Sequence, residues 1–351
     1  MHNARAGLLA GNTILWRCSA YDLDVSDRVI FEDNVVKCTE RGVVPHGNSI
    51  SGYDYPTHPS SRYWSVARNR YSRPAYHKGT EQNWIQRETI TTDGPGAFGM
   101  GKIVTMSGTN VTLSWLAWVH TPLVGATLVV LDGPGRGQHR LVTGVGSFNG
   151  TVELDAPLDD WVSASNTVAV LASLGSKLII GNRFNWTEVV QWYGNTLRGV
   201  MADNSFHHCN VKSGGNINVG SMGGVGECYH GTSQMFFTEF RANTLQSSDG
   251  ISLVDNFNRG EWQCAPYGGP WVAWSAIRNN TLGGISEASR NRSAGGSDLP
   301  MCAFISVQGG GSEVNGYTSD VVAEGNVFEC PPEGNNSIQY RIRDCRHCSQ
   351  R

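Results

Sequence analysis

The chain has 351 residues, 43 of them glycine, with only 16% charged side chains and a formal net charge of −3. A glycine content well above the roughly 7% of ordinary globular chains, with abundant Asn and Ser and no long helical face, favours a turn-rich all-β protein. The slightly acidic balance lacks the basic footprint of a nucleic-acid binder, and no apolar run approaches the ~18 residues that cross a bilayer as a helix.

The first residues carry one short apolar patch without signal-peptide architecture and run straight into a repeat, so the chain reads as truncated upstream. The repeat is two or three apolar or β-branched residues, one or two small or polar ones, Asn, one residue, then an apolar residue. It stands around Asn12, Asn34, Asn48 and Asn69, stops, and returns around Asn182, Asn204, Asn243, Asn280 and Asn326. The tightest intervals, Asn12 to Asn34 and Asn182 to Asn204, are 22 residues. Periods of roughly 20–50 residues mark solenoids, whose units bury their apolar face only by stacking. Asn suits a recurring corner because it tolerates left-handed backbone and its amide can bond to the Asn above and below. Asn12, Asn34, Asn69, Asn182, Asn204, Asn243, Asn280 and Asn326 are therefore expected at one or two corners, with Asn48 at a second corner. The Leu-x-x-Leu-x-Leu pattern of a horseshoe and the hairpin blades of a propeller are both missing.

Between 89 and 172 the repeat gives way to alternating strands at 102–106, 111–115, 127–131, 139–143, 151–154 and 167–171, with turns between, as in a meander or small barrel. The organisation expected is coils at 1–88, an inserted β-module at 89–172, and coils at 173–351 continuous with the first. The turn Asp132-Gly-Pro-Gly-Arg-Gly-Gln138 could suggest a phosphate cradle. It lacks the Lys-Ser/Thr ending of a P-loop and no helix follows, so a structural turn is expected. The module is expected to pack on the solenoid's side and to overhang a groove.

Nine cysteines, together with Asn-x-Ser/Thr sequons at Asn110, Asn149, Asn185, Asn279, Asn291 and Asn335, suit an extracellular or cell-surface setting. Cys18 and Cys38 would stack on successive coils, within disulfide reach or as a thiol ladder. Cys345-Arg-His-Cys348 reads as a disulfide donor or an incidental pair, since no second pair completes a zinc site. No cofactor is expected: no metal cluster has ligand-like spacing, and calcium is left open with no residue pattern in its support. Nothing in the sequence sets the oligomeric state.

The Asn-centred repeat, in copies such as Val-Ala-Glu-Gly-Asn326-Val-Phe and Ile-Ile-Gly-Asn182-Arg-Phe, resembles that of the pectate-lyase-like right-handed parallel β-helix superfamily over roughly residues 7–72 and 176–330. The Gly-x-Gly-x-Gly-Gln turn with its following Arg140 strand resembles a module of phage tail, adhesin and bacterial β-helix proteins. The superfamily resemblance implies a solenoid that binds an extended polysaccharide along one sheet and, as an enzyme, acts as a lyase or glycoside hydrolase. The densest polar and aromatic band runs from 185 to 249. Trp186, Gln191, Trp192, Tyr193 and Arg198 are the candidate sugar-binding residues, aromatic rings pairing with pyranose faces. A β-eliminating lyase needs a base and a cation beside the enolate-like charge, which Tyr229, His207, His208, His230 and Arg241 could supply. A hydrolase needs two carboxylates, roughly 5–5.5 or 6.5–9.5 Å apart, drawn here from Glu188, Asp203, Glu227 and Asp249. On a 22-residue coil, Glu188 and Gln191 fall near the file of 210–214. Ser248-Asp-Gly-Ile251 and Arg341-Ile-Arg343 are similar to polygalacturonase motifs, but no Asp-Asp pair or Gly-His-Gly stands between them. The alternative is a non-catalytic glycan-binding adhesion or structural solenoid.

Overall fold

The computed structural model describes residues 6–16, 28–38, 48–49, 63–72, 88–92, 97–114, 124–146, 150–171, 176–185, 189–192, 196–207, 216–222, 235–248, 250–256, 269–284, 304–308, 316–329, 340–343 and 345–351. Short strands with alternating burial dominate them. In Val29–Glu32, for instance, Val29 and Phe31 point into the core while Ile30 faces out. One buried face per strand demands a partner layer, and the chain supplies it by winding into a right-handed parallel β-helix of three sheets.

The first sheet carries Gly7–Ala10, Val29–Glu32, Trp64–Ala67, Lys177–Ile180, Gly199–Ala202, Glu239–Arg241, Gly269–Arg278 and Gly316–Glu324, all parallel. One corner later the second sheet stacks Thr13–Trp16, Val35–Cys38, Arg70–Ser72, Arg183–Asn185, Ser205–His207, Thr244–Gln246, Thr281–Gly283 and Val327–Glu329. The third holds Asn48–Ser49, Glu88–Thr92, Val189–Trp192, Asn216–Met222, Gly250–Asn256, Phe304–Gln308 and Tyr340–Arg343. Lys177–Ile180 pairs directly with Trp64–Ala67, so the solenoid resumes in register across the insertion.

The corner between the first two sheets explains the repeat. Its left-handed residue is not the ladder Asn but the residue before it: Gly11, Asp33, Arg68, Gly181, Asp203, Ala242, Asn279 and Gly325 all have φ between 52° and 67°. That twist turns the Asn inward. Asn69, for example, donates from both its main-chain N and its Nδ2 to Asn182 Oδ1, each at 3.0 Å, and Nδ2 also reaches the Phe31 carbonyl at 2.9 Å. The same double donation links Asn12 to Asn34, Asn34 to Asn69, Asn182 to Asn204, Asn204 to Asn243, Asn243 to Asn280 and Asn280 to Asn326. All eight expected asparagines thus share one corner. A buried amide column of this kind satisfies main-chain donors that the turn would otherwise strand. Asn48 differs: it lies in a strand of the third sheet opposite Ile90, not at a corner.

Inside the second sheet, Tyr71, Phe184 and Phe206 stack with centroids 4.9 and 4.8 Å apart and rings within 7° of parallel. The coil repeat of about 4.8 Å imposes this geometry. Lys177 is also turned inward, above Trp64 in the register, with Nζ 3.4 Å from Thr196 Oγ1.

The insertion forms a closed antiparallel barrel in the order Asn110–Leu113, Thr151–Leu154, His139–Val145, Thr127–Val130, Thr167–Leu171 and Ala97–Ser107, so all six expected strands are present. Its glycine-rich turn is structural. The Asp132 carboxylate accepts bonds from Asn166 Nδ2 and from the main-chain N and hydroxyl of Thr167, at 2.7 to 3.0 Å. The N–H groups of Arg136, Gly137 and Gln138 donate to the Gly133, Val130 and Gly135 carbonyls, so these three close the turn on itself.

The barrel packs on the flank of the first sheet. Val129, Leu131, Ala169 and Leu171 close over Leu197, Phe236 and Ala273, with Phe237 and Trp274 packed beside them. Here the sheet bends at a second left-handed column that includes Arg198, Phe237, Trp274 and Asp320. Arg136 pairs with Asp320 at 3.0 Å. Arg198 donates to His139 Nε2 at 2.6 Å, while His139 Nδ1 lies 3.2 Å from the Gly137 carbonyl. A guanidinium only donates, so this arrangement fits the neutral imidazole with its proton on Nδ1.

Candidate functional site

The residues just after each ladder Asn decide what the second sheet shows to solvent. The second one points inward, as Tyr71, Phe184, Phe206 and Leu245 do, so the first and third point outward. Two outward files result. One includes Arg70, Arg183 and Ser205, the other Lys37, Asn185, His207 and Gln246, all exposed. His207 Nδ1 lies 3.2 Å from Asn185 Oδ1 on the neighbouring coil. Lys37, Arg70 and Arg183 make no ion pair among the described residues.

Several described cations elsewhere on the solenoid are engaged. Arg68 Nη2 contacts Glu32 at 2.7 Å and Asp33 at 2.8 Å, and its hydrogen bond holds the Asp33 carboxyl below the usual aspartate range. On the outer face of the first sheet, Arg278 lies 2.7 Å from Glu324 and 3.9 Å from Glu239, and Arg241 lies 3.7 Å from Glu239.

The candidates read from the sequence fall on different surfaces. Asp203 is exposed at the ladder corner in left-handed backbone, its N–H donating to the Arg241 carbonyl at 3.1 Å. Arg241 faces out from the first sheet, His207 from the second, and Arg198 bonds to the barrel. Gln191 and Trp192 lie in a strand of the third sheet, Gln191 opposite Asn218 and Trp192 at the register position of buried Leu253 and Val307. Gln191 therefore does not align with 210–214, because the connection from the second to the third sheet lengthens in the next coil. Trp186, Glu188, Tyr193, His208, Glu227, Tyr229, His230 and Asp249 lie outside the described residues, as does Cys18. The strands beginning at Gly250 and containing Arg341 both belong to the third sheet. Asp159, of the adjacent acidic pair 159–160, is held by Arg140 at 3.1 Å. Cys345 and Cys348 are joined by a disulfide, with Cα atoms 5.9 Å apart.

The sequence reading passed over Lys37, Arg70 and Arg183, which stand before the aromatic band. Alternation counted from the ladder Asn is the signal that marks them as outward-facing. Among the described residues no cluster of three or more His, Cys, Asp or Glu could hold a metal ion, and no helix is long and apolar enough to cross a membrane.

No protein-family model and no curated protein matches the chain. Among solved structures it is similar to the tailspike protein gp49 from Pseudomonas phage LKA1, at 11% identity and a TM-score of 0.26, covering 90% of this chain and 50% of that one. It is also similar to the gp54 tailspike of Acinetobacter baumannii bacteriophage AP22, solved with a capsular saccharide, at 10% identity and a TM-score of 0.25, covering 92% of this chain and 46% of that one. The chain thus spans about half the length of each. Its own fold rests on the sheet register and the asparagine ladder.

Proposed function

We propose that the protein is an extracellular or surface-exposed β-helix that engages an extended polysaccharide along its solenoid. The observation that supports this most is the outer face of the second sheet. Parallel strands in one register there present Arg70, Arg183, Asn185, Ser205, His207 and Gln246 to solvent, repeating at about 4.8 Å. A linear polymer can meet such a face with one group per coil, and several individually weak contacts then add. The test is equilibrium binding of the intact chain to a panel of acidic and neutral polysaccharides. Binding to at least one member is expected, and binding to none would overturn the reading.

Within this reading, binding without turnover is favoured on the described surface, because His207 faces out from the second sheet and Arg198 is bonded to the barrel, apart from Asp203 and Arg241 at the ladder corner. Cleavage, by elimination or hydrolysis, would draw on the remaining candidates, which lie outside the described residues. Release of unsaturated or reducing ends that is lost in Glu188→Gln or Asp249→Asn would establish it. Turnover unaffected by either substitution would remove those carboxylates from the chemistry.

A further inference from the structure

We propose that Lys37, Arg70 and Arg183 form a binding strip for a polyuronate, a polysaccharide carrying a carboxylate on its sugar units, laid across the second sheet parallel to the solenoid axis. This rests on the polysaccharide reading above and names the ligand's chemistry and place.

Three observations converge on the strip. Arg70 and Arg183 are direct register partners on neighbouring strands, and Lys37 stands on the strand before Arg70, displaced by two residues. Like charges facing each other across a parallel pair are destabilising, and no acid among the described residues relieves them. Asp33 is taken up by Arg68, and Asp203, at the corner two residues before Ser205, makes no ion pair with Arg183. The acid that shares these files, Glu329, lies four strands beyond Arg183, about 19 Å along the axis by strand spacing. That exceeds the ~8 Å screening length of physiological salt. Arg241, Arg278 and Arg68, by contrast, each have a carboxylate partner.

A carboxylate bridging two adjacent cations converts their repulsion into two charge-assisted hydrogen bonds, and a guanidinium offers the planar fork that matches it. The flanking Asn185, Ser205 and His207 supply further hydrogen-bonding groups for sugar hydroxyls. A polymer with one charge per sugar unit repeats its carboxylate along such a stack, which a single small anion cannot.

The test is affinity electrophoresis of the intact chain in gels containing polygalacturonate, alginate or hyaluronate, with dextran as neutral polymer and a double-stranded DNA oligonucleotide as non-glycan polyanion. Binding to at least one polyuronate is expected, weakened by salt, and weakened about tenfold or more in the double variant Arg70→Gln, Arg183→Gln, with Arg278→Gln unchanged. The double variant should melt at the same temperature or higher, since it releases repulsion, whereas a merely structural role would lower its melting temperature. Should it fail to fold, Lys37→Gln and the salt dependence of the wild type carry the same comparison. Polyuronate binding that survives the double substitution, or dextran or DNA bound as tightly as the polyuronates, would overturn the strip and leave the polysaccharide reading standing. Failure of every polysaccharide to bind would overturn both.

Discussion

At the scale of single residues, the asparagine ladder is the feature on which the rest depends. Removing Asn182 leaves the main-chain N and Nδ2 of Asn69, the Val66 carbonyl and Asn204 Oδ1 each short of a partner. At about 1–3 kcal/mol per stranded buried group, partly relieved by relaxation, Asn182→Ala should cost about 3–5 kcal/mol in urea unfolding. Asn12→Ala, on the exposed first rung, should cost about 1 kcal/mol or less. Equal losses at both positions would contradict a ladder. The ladder was legible because amides that pair with one another must recur. The left-handed residue was not, because Asp33, Arg68, Ala242 and Asn279 share a backbone conformation and no side-chain type. Ala242→Gly should accordingly stabilise the protein by about 0.5–1 kcal/mol by relieving the left-handed strain of a Cβ-bearing residue. Burial lowers the Lys177 pKa from 10.5 to about 7, so the unfolded chain binds that proton more tightly. Stability should therefore rise with pH from about 7 into the ordinary lysine range. Urea midpoints at about pH 7 and pH 9 should separate less in Lys177→Met than in the wild type, and identical separations would refute the assignment.

At the scale of elements, the aromatic stack and the barrel seam carry most of the local packing. Phe184 lies between Tyr71 and Phe206 and is 1% exposed, so Phe184→Ala should cost about 3–5 kcal/mol and Phe184→Leu markedly less. The seam makes a separate prediction. Phe236→Ala should raise hydrogen exchange in Thr127–Val130 and Thr167–Leu171, which lie over it, while the ladder amides keep their protection. Simultaneous loss of both would mean that barrel and coils unfold together. The barrel strands were legible from alternation, because a closed antiparallel barrel buries one side of every strand. Their docking surface was not: Leu197, Phe236 and Ala273 face outward from the first sheet, and only the bend at Arg198, Phe237 and Trp274 turns that flank into a seat. Asn48 was misread because a short apolar run before Asn looks alike at a corner and within an edge strand.

Over the whole molecule, faces rather than neighbourhoods in sequence decide what can act together. His207 and Arg241 lie within one stretch of sequence yet face out from the second and the first sheet, because each coil distributes its residues around three sheets. Arg70 and Arg183, separated by the entire barrel, are neighbours. A linear search for a dense polar band therefore favoured residues on separate faces over cations aligned across coils. The coil lengths that fix this alignment vary with the loops, so a fixed 22-residue spacing places Gln191 beside the wrong file. One continuous solenoid brings these distant arginines onto a single outer face, the one proposed above to bind polysaccharide. Arginine modification by phenylglyoxal, read by mass spectrometry with and without a bound polyuronate, tests it most directly. Arg70 and Arg183 should be protected together, at the same polymer concentration, with Arg278 labelled equally in both conditions. Protection of one without the other, or protection confined to Arg136 and Arg140 of the barrel, would contradict it.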